Sequence, residues 1–175
     1  MSLLVFDLET QLTSDEVGGW NHIRDMRLSV GVTYDPAADR YETYYEADAL
    51  RLVADLRAAE RVVGYNLLRF DYEVLRAYTN DPLRDLPTVD MLADLYGRLG
   101  WRPKLDDVAA ATLGEHKSAD GLAAVRWFRA GEIGKVSDYC RRDVEVTWRV
   151  YDFGRQNRYV SVFDRRAPRR VAVVW

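Results

Sequence analysis

Leu3-Leu4-Val5-Phe6-Asp7-Leu8-Glu9-Thr10 is an apolar run that carries two carboxylates, and it limits what this chain can fold into. The run reads as a buried strand, where side chains two apart point to the same face, so Asp7 and Glu9 share one side. A second pair, Tyr139 and Asp143, lies in a helical segment, where residues four apart sit one turn above the other. Two unrelated periodicities thus each bring oxygen ligands together. If the fold also carries Asp71 to that place, four carboxylates converge. Each close pair then repels by roughly 4 kcal/mol at an effective dielectric of about 20. Such a cluster needs cations.

The remaining pattern alternates strands and helices, with no internal repeat and no low-complexity linker. Leu28, Val30, Val32 and Tyr34 alternate against Ser29, Gly31 and Thr33. After the Asp35-Pro36 turn, Arg40 to Tyr45 makes the second arm of a hairpin. Ala49, Leu52, Val53 and Leu56 mark a helix face, and Arg61 to Gly64 reads as a short buried strand. Asp71 opens a helix whose apolar face continues through Val74, Leu75 and Tyr78. A strand at Thr88 to Asp90 precedes a helix ending near Gly100, followed by helices over 105–113 and 119–130. Ile133, Val136, Cys140, Val144, Thr147 and Tyr151 trace a long helix, with Tyr139 and Asp143 beside its apolar stripe. Tyr159 to Phe163 and Val171 to Trp175, around an Arg- and Pro-containing turn, read as a terminal hairpin. Three antiparallel strands followed by βαβ crossovers describe an α/β fold, a mixed sheet with helices on both faces.

At 175 residues, 48% of them apolar and 30% charged, the chain suits one domain over 1–175, with 155–175 as a hairpin extension. No apolar run approaches the roughly 20 residues of a membrane helix. The N-terminus lacks a basic segment leading into a long apolar one, which places the expected location in the cytoplasm. The single Cys140 excludes an intramolecular disulfide. With only His22 and His116 besides, there is no zinc ligand set. A metal here is hard and held by oxygen, Mg²⁺ or Mn²⁺. From Arg149 to Trp175 there are seven Arg against Asp152 and Asp164, a net of +5 in a chain of net −3. The acidic part suits metals and the basic end suits phosphates, although a solvated face accounts for such arginines equally well.

Phe6-Asp7-Leu8-Glu9-Thr10, Gly64-Tyr65-Asn66-x-x-x-Phe70-Asp71 and Tyr139-x-x-x-Asp143 resemble, in order and context, the three motifs of the DEDD (DnaQ-like) exonucleases. The tyrosine of the third motif matches the DEDDy branch. The rival branch carries a histidine five residues before the last aspartate, where this chain has Asp138. The resemblance covers about Leu3 to Gly154 and implies a ribonuclease H-like fold with strand order 3-2-1-4-5. Lys104-Leu105-Asp106-Asp107, Lys117-Ser118-Ala119-Asp120-Gly121-Leu122 and the terminal hairpin look like a bacterial subgroup of such exonucleases.

Taken singly, each motif has an ordinary account. Asp-x-Glu is common on strands, Asp71 suits a helix cap, and Tyr139 suits packing. Together they point to a metal-dependent nuclease, and the resemblance implies a 3′-to-5′ exonuclease working with two divalent cations. By the resemblance Asp7 bridges both, Glu9 and Asp143 complete one site, and Asp71 supports the second. Tyr139 orients the attacking water, since a phenol of pKa near 10 is a poor base at neutral pH. The resemblance places Thr10, Gln11 and Leu12 against the terminal sugar and base. Asn66 reads either as a loop-fixing residue or as a substrate contact. Trp20 reads either as a base-stacking platform or as a loop anchor, and Arg165, Arg166, Arg169 and Arg170 as phosphate contacts on the terminal turn. The expected substrate is single-stranded DNA or RNA, with a helicase or polymerase as partner. A non-catalytic nucleic-acid-binding or partner-docking module and a ribonuclease H-like endonuclease are the alternatives.

Overall fold

The computed structural model describes residues 2–115, 121–164 and 167–175. Strand β1 (Leu3–Thr10) lies at the centre of a five-stranded sheet with β2 (Leu28–Asp35), β3 (Arg40–Tyr45), β4 (Arg61–Gly64) and β5 (Thr88–Asp90), in the order β3-β2-β1-β4-β5. The β1/β2 and β2/β3 pairs are antiparallel and the β1/β4 and β4/β5 pairs parallel. The expected mixed sheet and its 3-2-1-4-5 order are therefore present. Asp35 closes the β2–β3 turn, its carboxylate accepting from the amide of Ala37 at 2.9 Å.

Each face of the sheet is covered because alternate residues of its strands are apolar on both sides. Phe6, Leu8 and Val62 pack with α1 (Ala49–Ala58) and α2 (Asp71–Leu75). Val5, Val30, Val32 and Val63 pack with α3 (Met91–Leu99), α4 (Leu105–Leu113), α5 (Gly121–Arg129) and the long α6 (Ile133–Asn157). The stripe Val136, Cys140, Val144, Thr147 and Tyr151 of α6 is buried, as its spacing requires of a helix lying across a sheet.

Two expectations need correction. Helix α2 ends at Leu75 and does not run through Tyr78. The Tyr78 hydroxyl instead bridges strand β2 and the segment after β3, accepting from the Leu28 amide at 2.9 Å and donating to Glu46 at 2.8 Å. In the connection after β1, Trp20–Met26 forms 3-10 turns with a kink at His22, and buries Ile23 and Met26. The second arm of the terminal hairpin starts earlier than its apolar residues indicate. Strand β6 (Tyr159–Asp164) pairs with β7 (Ala167–Ala172), so Arg169 and Arg170 stand opposite Val162 and Ser161 on a strand, not on the turn. Pro168 is tolerated there because β7 pairs on one side only. Trp175 anchors the end, stacked on Tyr151 at 6.2 Å with its indole N–H donating to Asp94 at 3.0 Å.

Candidate active site

On β1 the even residues Phe6 and Leu8 enter the core under α1 and α2, which turns Asp7 and Glu9 to the side of α6. Helix α6 crosses there and presents Asp143, and one turn earlier Tyr139, both nearly buried. Carboxylate oxygens of Asp7, Glu9 and Asp143 all lie within 4.8 Å of one another. A hard divalent cation binds oxygen at about 2.0–2.6 Å, so oxygens up to roughly 4–5 Å apart can share one ion. The donor set, three carboxylates, suits a hard divalent cation.

Asp71 lines the same cleft but stands apart from the three-carboxylate group. It is the first residue of α2, not its cap, and its carboxyl turns to the central strand, where Oδ1 accepts from the amide of Leu8 at 3.2 Å. Being 2% exposed, it is pushed up to about 8 by burial and then by the neighbouring charge of Asp90, against the opposing pull of its backbone hydrogen bonds. Four carboxylates thus line one cleft, three of them in a cluster and Asp71 outside it, hydrogen-bonded to the backbone of β1. Cys140 ties the cluster to α6: its Sγ lies 3.3 Å from the Asp7 carbonyl oxygen and 3.8 Å from Asp7 Oδ2. Burial and the surrounding acids push its thiol up, so it stays a donor. The edge of the Trp127 ring of α5 meets Tyr139 at 5.9 Å and fixes the plane of the phenol.

The cleft has a volume of about 640 Å³ and is also lined by Thr10, Leu12, Trp20, Asn66, Arg102 and Lys104. Gln11 is not part of its wall. The Gln11 side chain donates to the Leu28 carbonyl at 2.8 Å and its amide to Arg27 at 3.0 Å, so it holds the turn after β1. Asn66 takes a left-handed backbone, φ 77°, at the turn into α2. Its side-chain oxygen accepts from Arg102. The rim loop is tied to α5, where Arg129 pairs with Glu16. The amide and hydroxyl of Thr13, with Arg129, hold that carboxyl at about 2. Arg165 and Arg166, like His116, Lys117, Ser118 and Asp120, lie outside the described residues. Among the described residues, none from the hairpin strands lines the cleft.

Sequence reading missed Asp90 and Arg102. Asp90, the last residue of β5, accepts from the amides of Asn66 at 2.9 Å, Leu68 at 3.0 Å and Ala93 at 3.1 Å. It therefore caps α3 and fixes the loop that delivers Asp71. The cap was legible, since an aspartate stands just before an apolar helical run, but its reach to residues 66 and 68 was not.

Among solved structures, the fold matches a family B DNA polymerase from the hyperthermophilic archaeon Pyrobaculum calidifontis, with a TM-score of 0.64 at 17% identity. The match covers 88% of this chain and 24% of the polymerase, so the chain spans about a quarter of that protein's length. No curated protein matches the sequence. No helix among the described residues is long and apolar enough to cross a membrane. The sheet order and helix placement are those of a nuclease-type fold, and the RNase_H superfamily profile matches residues 4–153. The chain belongs to the RNase_H superfamily.

Proposed function

We propose that this protein is a metal-dependent 3′-to-5′ exonuclease of the DEDDy type, hydrolysing phosphodiester bonds of single-stranded nucleic acid. The observation that carries the reading is the convergence of Asp7, Glu9 and Asp143 within 4.8 Å, with Tyr139 on the same helix face as Asp143 and in the same cleft. A binding module gains nothing from mutually repelling carboxylates held together by a strand and a helix. Divalent cations held there would supply positive charge against the charge that develops on phosphorus and on the attacking and leaving oxygens.

The side chains divide the remaining work. Asp7, Glu9 and Asp143 are the residues that would hold the cations. Cys140 and the Asp71–Leu8 hydrogen bond keep β1 from shifting, and so fix the two β1 carboxylates relative to Asp143. Asp71, in the same cleft, would add a further carboxylate to cation binding once positive charge there favours its ionised form. Tyr139, braced by Trp127, orients the attacking water through its hydroxyl. Thr10 and Leu12 meet the terminal nucleotide from the cleft wall, and Gln11 supports them from behind.

The test is incubation of the pure protein with 5′-labelled single-stranded DNA and RNA of one sequence, with Mn²⁺, Mg²⁺ or EDTA, beside an Asp7→Ala control. A metal-dependent set of products shortening from the 3′ end, absent in the control, is the expected result. Internal cuts would point to an endonuclease. Intact substrate in every lane, from folded protein that binds the metals, would sink the exonuclease reading.

A further inference from the structure

We propose that a second cavity beside the acidic cleft receives the base of the nucleotide next to the one under attack, with Trp20 as its stacking face and Arg69 and Arg102 as its cations. The proposal rests on the nuclease reading above, because it takes the acidic cluster as the place where the strand is cut.

This cavity measures about 230 Å³ and is lined by Trp20, Ile23, Asn66, Arg69, Phe70 and Arg102. Trp20, Asn66, Phe70 and Arg102 also line the cleft, so the two hollows meet along a shared ridge. The volume falls below the roughly 300 Å³ at which pockets begin to enclose a whole small ligand. It suits one flat group held against a wall. Trp20 supplies that wall: it meets Phe70 edge-on at 6.2 Å, which braces the indole, yet it remains 63% exposed. An indole braced on one side and open to solvent accepts any base, since every base has a π-face.

The two guanidiniums add a charge of the right sign. Neither Arg69 nor Arg102 forms an ion pair with a carboxylate among the described residues, whereas nearby Arg84 and Arg98 are paired with Glu73 and Asp94. Arg102 is nonetheless held in place, donating to Asn66 Oδ1 and lying 5.7 Å from the centre of the Tyr96 ring. A strand crossing the ridge passes from the carboxylate cluster, which repels phosphate unless cations are bound, to guanidiniums that attract it. The subsite takes a base splayed out of any stack, so it selects single strands over paired ends.

The experiment measures fluorescence anisotropy of a 5′-labelled oligothymidylate of about ten nucleotides with Ca²⁺, beside a cleavage assay with Mn²⁺. A second oligonucleotide carries an abasic site at the penultimate position of its 3′ end. Wild type should bind the abasic strand roughly 5- to 150-fold more weakly than the intact one, the range of a lost base–aromatic stack. In Trp20→Ala that penalty should shrink to less than about 2-fold, and Trp20→Phe should restore part of it, a rescue that a loop-anchoring role would not give. Arg69→Gln, whose residue lines only the second cavity, should flatten the logarithmic salt dependence by about 0.7. Equal abasic penalties in wild type and Trp20→Ala, or none in either, overturn the subsite. Cleavage without a penalty in wild type removes the subsite and leaves the exonuclease. A Trp20-dependent penalty without cleavage keeps the subsite and removes the exonuclease.

Discussion

Replacing Asp71 by asparagine should make the metal-free protein more stable at alkaline pH than at acid pH relative to wild type. Burial and the charge of Asp90 push the Asp71 carboxyl from 3.8 to about 8. In the unfolded chain this acid ionises near 3.8, whereas in the folded chain it keeps its proton to about pH 8. The folded state therefore binds more protons through that window, and wild-type stability falls as pH rises. Below about pH 4 both states are protonated and the difference vanishes; above about pH 8 both are ionised and it levels off. Each pH unit inside the window is worth about 1.4 kcal/mol, so from pH 5 to pH 8 wild type should lose about 4 kcal/mol relative to the variant. The substituted amide keeps an oxygen to accept from the Leu8 amide, the bond that Asp71 makes at 3.2 Å. Its extra N–H donors cost about 1–3 kcal/mol if unpaired, but that cost does not change with pH. The assay is urea unfolding of both proteins in EDTA at pH 5, 6, 7 and 8, read by tryptophan fluorescence and extrapolated linearly. A stability difference that stays flat, or that moves toward wild type as pH rises, would refute the protonated buried acid. Saturating Mn²⁺ should weaken the pH dependence of wild type, because cation charge in the cleft favours the carboxylate.

Other perturbations separate holding from positioning. Asp7→Ala or Asp143→Asn should abolish cleavage and the rise in Tm on adding Mn²⁺, whereas Tyr139→Phe should lower cleavage by roughly 10- to 100-fold and keep that rise; equal losses in both assays would sink the division of roles. Asp90→Ala strips an acceptor from three amides and removes the α3 cap, so it should cost about 2–4 kcal/mol in urea unfolding; a cost within about 0.5 kcal/mol, the range of surface changes, would show that the loop holds without it. Gly64→Ala would place a Cβ 2.5–2.7 Å from the branch of Leu67, which is fully buried and has no room to swing. It should destabilise by about 1–3 kcal/mol and lower cleavage with it, since the same turn leads into Asp71. Unchanged stability in thermal unfolding would contradict that close contact.

The extent to which the sequence was legible differs from element to element. Strand β4 was readable to the residue because the short β-branched pair Val62-Val63, bounded by Arg61 and Gly64, leaves few alternatives, and β5 followed from Thr88-Val89 just before a helical run. The α6 stripe was readable for the same reason at period 3.6. Strand β7 was misread because Ala167 to Arg170 carries no apolar alternation. Its start is decided by cross-strand pairing with β6, where Pro168 lies opposite Phe163. The 3-10 turns from Trp20 to Met26 have too few residues to show a period, and their shape comes from burying Ile23 and Met26 under the sheet.

For the site, the sequence by itself determined which faces carry acid: Asp7 with Glu9 on a strand and Tyr139 with Asp143 on a helix, each pair joined by a local repeat that tertiary contacts do not alter. Only the tertiary structure decided how those faces meet. It brought Asp143 within 4.8 Å of the β1 carboxylates and left Asp71 outside that cluster, bonded to Leu8. It also turned Gln11 away from the cleft and opened a second cavity between Trp20 and Arg69, residues 49 positions apart. Local periodicity sets direction within one element, whereas distance between elements follows from packing the whole sheet against its helices, and no spacing rule along the chain contains it.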